Sequence, residues 1–205
     1  TSATIITCFA LFMSSGHDNT DFPTISETGD FPPESNIFSW GLSLSSFFLC
    51  VIVCLIYLLN VEIICTVQAR NMQNLSSKIH QWLRLNKAGV FFGFVTWISL
   101  SGVASFRSNE VPIVHYTCAI STFLSCWIYM LLSTIFFHLL HPHCPEYVTR
   151  KNLNTKIFLW VISTIGLLAS KGLISFFFGS NWSQISFIFL LLYSSYRKCD
   201  RLHRS

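Results

Sequence analysis

Charge is what this sequence has least of. Thirteen Lys and Arg and nine Asp and Glu make up 11% of 205 residues. Soluble domains carry about 25%. So few charges cannot cover the surface of a soluble globule, which argues against a cytosolic enzyme and a nucleic-acid binder. Cysteine is absent where a disulfide would matter. None of the 8 Cys falls in the acidic segment 14–36, so no disulfide staples it, and the scarcity of charge argues against a secreted disulfide domain. Cys50, Cys54, Cys118 and Cys126 lie within apolar runs, where Cys packs as a small hydrophobe. Period-two alternation is missing from those runs, which argues against a β-barrel. Also missing are a nucleophile elbow, a P-loop, an H-E-x-x-H motif, a dinucleotide fingerprint, paired carboxylates within a span and a selectivity-filter repeat. The expectation is a protein that is not an enzyme and needs no cofactor or metal.

What is present is apolar: 52% hydrophobic residues, 20 of them Phe, and a mean hydropathy of +0.54. About 20 apolar residues in a helix cross a bilayer, and a helix satisfies its own backbone there. The runs predict an all-α, polytopic transmembrane bundle of about six spans, near residues 1–13, 37–59, 88–106, 113–140, 157–178 and 180–196. The first is short and reads as the end of a truncated span. The last two share one stretch in which Gly179, Ser180 and Asn181 are the turn signal.

Charge orients the spans. Segment 14–36 holds Asp18, Asp21, Glu27, Asp30 and Glu34 and no Lys or Arg. Eleven of the 13 basic residues lie in segments 68–87, 141–156 and 197–205. The positive-inside rule makes those three cytoplasmic and places 14–36 on the lumenal or extracellular face. The bilayer is the first partner. Anionic lipids and other membrane proteins are candidates through the basic loops and the acidic segment, and nucleic acid is not.

Several side chains invite chemistry. His141, His143 and Cys144 form H-P-H-C, a metal-competent trio with no fourth ligand at a usual spacing. Cys65, Cys144 and Cys199 at the inner boundary are palmitoylation candidates, set against simple packing. His115 and His138 read as interfacial polar residues. Lys171 stands some fourteen positions into span five; it is either an intramembrane polar site or a lysine that snorkels to the interface. Gly89 and Gly93 form G-x-x-x-G, extended by Ser101, a small-residue stripe for helix packing. Asn86 or a neighbour is expected to cap span three at its start.

The most distinctive stretch runs from Phe22 to Phe38. Pro23, Pro32 and Pro33 stiffen it, Gly29 supplies a turn, and Pro33 and Glu34 suit the first turn of span two. With Ile25, Ser26, Glu27 and Asp30, these residues are a candidate docking surface for a lumenal partner; the competing reading is a lid over the bundle mouth.

This stretch resembles the P-x-I-S-x-T-G-x-x-P-P-E-S-x-x-F signature of the DRAM family, the damage-regulated autophagy modulators and their transmembrane relatives. Leu85-Asn86-Lys87-Ala88-Gly89 with Gly93, Gly102, Val103, Ala104 and Phe106 is similar to the family's third span. Val111-Pro112-Ile113-Val114-His115 is similar to the opening of its fourth. The resemblance covers about residues 5–165. It implies a multi-pass protein of the lysosomal or endosomal membrane, or the plasma membrane, that promotes autophagy and stress-induced cell death by scaffolding. An ion channel or transporter subunit is the alternative, and an accessory factor in glycolipid-anchor remodelling a second. The family's longer loop between spans five and six, ending in E-W, is shortened here to Asn181-Trp182. With the truncated first span, this suggests a shortened isoform or an incomplete gene model.

Overall fold

The computed structural model describes residues 2–14, 25–70 and 76–169. Residues up to Thr164 form one compact unit; of the second, 165–205, only the end of one helix is described. Five α-helices follow in order: α1 (Ser2–Ser14), α2 (Glu34–Arg70), α3 (Ser76–Ser105), α4 (Pro112–Leu140) and α5 (Arg150–Ala169). A 3₁₀ turn, Glu27–Gly29, lies between α1 and α2, and no strand occurs among the described residues. Helices α2, α3 (from Lys78) and α4 are each long and apolar enough to cross a membrane. The protein is an all-helical membrane bundle. Pro23, Lys171, the expected span 180–196, the tail and Cys199 lie outside the described residues.

The chain packs in sequence order, α1 on α2, α2 on α3 and α3 on α4. Gly93 is one reason the backbones come close. A Cβ there would stand 2.6 Å from Val53 Cγ1 on α2, so a larger residue would push the helices apart. Gly89 lies against Tyr129 of α4 instead, at 4.0 Å, and Ser101 is only half-buried. The three positions expected to act as one packing stripe therefore do not share one tight interface. Exposed Phe47, Phe48, Leu55, Leu58 and Leu59 on α2 and Phe91 and Ile98 on α3 are what a lipid-facing surface requires.

Two boundaries differ from the apolar runs. Helix α2 has 37 residues, about 55 Å at 1.5 Å per residue, nearly twice a hydrocarbon core of about 30 Å. Helix α3 starts at Ser76, inside the segment expected to be a basic loop. The reason is a buried stripe at helical spacing, Ile79, Trp82 and Asn86, hidden among Lys78, Arg84 and Lys87. Ile79 and Trp82 join one core with Ile63, Ile64 and Val67 of α2 and Phe136, Leu139 and Leu140 of α4. The helical hairpin thus runs on as a folded base, over more length than a bilayer crossing needs.

Asn86 is not a cap. It sits mid-helix, 6% exposed, accepts from Asn60 Nδ2 at 2.9 Å and donates to the Tyr57 carbonyl at 3.2 Å. Higher in the bundle, Thr96 and Ser125 hydroxyls join α3 to α4 at 2.9 Å. Interhelical bonds of this kind contribute about 1 kcal/mol. Asn86→Leu is expected to cost about that much in a reversible unfolding measurement in detergent, and no change would mean the pair is not formed.

Candidate functional site

The residues of the signature stretch form a cap over one end of the bundle. The turn closes itself: Thr28 Oγ1 donates to the Ile25 carbonyl at 2.8 Å, and the Gly29 and Asp30 amides donate to the Ser26 and Glu27 carbonyls at 3.0 and 3.2 Å. Gly29 is required here, because a Cβ would stand 2.5 Å from the Phe38 ring. The Pro32–Pro33 peptide is cis, and α2 begins at Glu34.

Two polar clasps tie the cap to the α3–α4 connection. Asp30 accepts from the Ser108 amide at 3.0 Å and from its hydroxyl at 2.6 Å. His115 holds the other clasp. Its Nδ1 meets the Phe106 carbonyl at 2.6 Å, and a carbonyl only accepts, so Nδ1 carries the proton. In the neutral ring Nε2 then accepts from the Ser26 hydroxyl at 3.0 Å. Cys8 of α1 adds a long Sγ contact to the Glu34 carbonyl, 3.6 Å. The first helix, the cap and the α3–α4 turn are joined through residues far apart in sequence.

The candidate docking residues divide between two faces. Ile25, Glu27, Pro32 and Pro33 are exposed, as is Phe31. Gly29, Asp30 and Glu34 are buried and Ser26 is half-buried. The buried carboxylates face the protein, so the expectation of an exposed acidic patch fails at Asp30 and Glu34. His115 is corrected too: it is 2% exposed, not an interfacial residue. Ser108, the partner of Asp30, was not singled out from the sequence. Its signal would have been its place in the short link 107–112 facing an acidic segment.

Ser26 and His115 have the spacing of a nucleophile and its base. The neighbouring amides of Gly29 and Asp30 close the turn, and His115 is buried beside a small cavity that Ser26 and Asp30 also line. The arrangement binds the cap down.

The opposite end is built on the H-P-H-C motif. His141 Nδ1 donates to the Val148 carbonyl at 2.6 Å. His143 packs against Trp82 in a tilted arrangement with ring centroids 5.3 Å apart. Cys144 and Val148 insert into the base core. The trio folds the loop inward. Among the described residues no three His, Cys, Asp or Glu converge on a metal-sized site. Arg70 and Glu146 pair on the surface at 3.1 Å, and this bond holds the Arg70 guanidinium above its ordinary pKa. Burial pushes the Cys144 thiol up, keeping it protonated and a poor nucleophile. Cys65 is exposed. An impermeant maleimide is therefore expected to modify Cys65 well before Cys144 in folded protein. Equal rates would contradict the burial of the loop.

A bundle of membrane-spanning helices, closed at one end by a polar-clasped cap and at the other by an apolar base, defines a multi-pass integral membrane protein. Its chain belongs to the Frag1/DRAM/Sfk1 family: the profile described as Frag1/DRAM/Sfk1/Cwh43P N-terminal domain matches residues 1–195. It is 29% identical over 169 residues to human DNA damage-regulated autophagy modulator protein 1, covering 82% of this chain and 63% of that protein. Against rat DNA damage-regulated autophagy modulator protein 2 the identity is 29% over 148 residues, 69% of this chain and 51% of the relative. Against protein 2 of Bos taurus it is 30% over 142 residues, 69% and 49%. The chain spans about half to two thirds of the length of these relatives. No solved structure matches it.

Proposed function

We propose that this protein is a non-enzymatic modulator of autophagy that acts as a scaffold in the lysosomal or endosomal membrane, with the plasma membrane as the alternative site. The observation that carries the reading is family membership over residues 1–195, together with relatives named autophagy modulators. The cap then faces the lumen, and the base carrying the basic segments faces the cytosol. Clasping Asp30 and Ser26 inward leaves a pre-ordered outer face, Ile25, Glu27, Phe31, Pro32 and Pro33, that a lumenal partner can meet without ordering it first. The buried polar groups hold that face and do not themselves contact the partner.

The test is autophagic flux. Overexpression is expected to raise turnover of an autophagosome marker, measured with lysosomal proteases active and blocked. Glu27→Lys, on the outer face, is expected to reduce the effect while leaving protein level and membrane insertion unchanged. Unchanged turnover in both conditions contradicts the reading.

A further inference from the structure

Lys156, in the first half of α5, is a cation in an unusual setting. It is half-buried, donates to Ser133 Oγ of α4 at 3.0 Å, and lies 4.2 Å from the centre of the Phe137 ring. Lys156 takes part in no ion pair among the described residues, unlike Arg70 with Glu146 and Arg107 with Glu110. An ammonium has three N–H donors, and a hydroxyl and a ring face leave one for an anion.

Ser133 also lines a cavity between α2, α3 and α4, with Asn60, Asn86 and Tyr129 on the wall. It is partly open and has room for one water-sized group. Asn60 is 6% exposed, and its Oδ1 is buried with no hydrogen-bond partner. A buried acceptor left without a partner is unfavourable, so the site calls for a donor. An unneutralised cation and an unmet acceptor thus flank one serine, at the end of the bundle where the basic residues lie.

We propose that this place binds the headgroup of an anionic phospholipid from the adjacent leaflet, its phosphate on Lys156 and a headgroup hydroxyl or ammonium donating to Asn60 Oδ1. The inference rests on the cytoplasmic placement of this end and is independent of any role in autophagy.

The experiment uses the full chain in nanodiscs of phosphatidylcholine with one-fifth phosphatidylserine, phosphatidylinositol or phosphatidic acid, and counts lipids retained after detergent extraction by native mass spectrometry. Phosphatidylserine and phosphatidylinositol are expected to be retained over phosphatidylcholine. Lys156→Gln should lower that preference about fivefold, and Lys151→Gln, exposed on the same helix, should not. Asn60→Leu should remove the preference for phosphatidylinositol over phosphatidic acid, which has no headgroup donor beyond its phosphate. Lys156→Arg should keep the anionic preference, which controls for folding. Equal retention of anionic and neutral lipids by the unmodified protein overturns the proposal, as does an equal loss in Lys151→Gln. Stabilisation by inorganic phosphate in pure phosphatidylcholine, abolished by Lys156→Gln, overturns it in favour of a soluble phosphate ligand. Flux measured in parallel separates the two readings, since lipid retention can fail with flux intact and the reverse.

Discussion

Trp82→Ala is expected to destabilise the protein by about 3–5 kcal/mol, the largest effect of any single side chain in the base. Trp82 is 1% exposed and packs in the core formed by α2, α3, α4 and the 141–149 loop. Its removal takes away the surface against which His143 packs and opens a cavity beside Cys144 and Val148. The loop's ion pair to α2, Arg70–Glu146, is solvent-exposed and adds little. The loss should therefore appear both as a lower unfolding midpoint in detergent and as faster maleimide labelling of Cys144. Trp82→Phe, which keeps a ring, should recover more than half of the stability. An effect of Trp82→Ala below about 1 kcal/mol would mean that α3 does not begin before the membrane as described.

Asp30→Ala is the second large effect, about 3 kcal/mol. Two hydrogen bonds to a buried carboxylate are lost, and the Ser108 amide and hydroxyl are left buried without that acceptor. Asp30→Asn keeps one acceptor oxygen and should fall between the two. Ser108→Ala should cost less than Asp30→Ala, because the amide bond survives. The local consequence is release of the cap, read as faster proteolysis within residues 25–34 in proteoliposomes with that face outward. In cells, Asp30→Ala should weaken the effect on autophagic flux in step with cap release. A stable cap in Asp30→Ala would remove the clasp from this account.

The sequence made the membrane class legible because bilayer crossing depends on run length and charge, both visible residue by residue. Helix α4 is an example. Pro112 supplies a preset first turn and the apolar run carries it to Leu140. The base was not legible in the same way. Ile79, Trp82 and Asn86 are interleaved with His80, Gln81 and Arg84 and flanked by Lys78 and Lys87, so mean hydropathy falls although the buried stripe has helical spacing. His115 and Asp30 illustrate a second limit. A polar residue near a span end looks interfacial until its partner is known, and the partners, Ser26 and Ser108, lie 89 and 78 positions away. The G-x-x-x-G motif shows a third, since Gly89 and Gly93 lie one turn apart yet meet α4 and α2 respectively. Spacing gives the face of a helix but not which neighbour it meets.

The account depends most on the cap and the base lying on opposite sides of the membrane. The direct measurement is thiol accessibility in sealed, oriented vesicles, with Glu27→Cys reporting the cap and Lys151→Cys the base, each compared with the unmodified protein. An impermeant reagent added from the lumenal face should modify Glu27→Cys and leave Lys151→Cys untouched until detergent is added, and the reagent on the cytosolic face should give the reverse. Labelling of both positions from one face in intact vesicles would contradict the bundle as described.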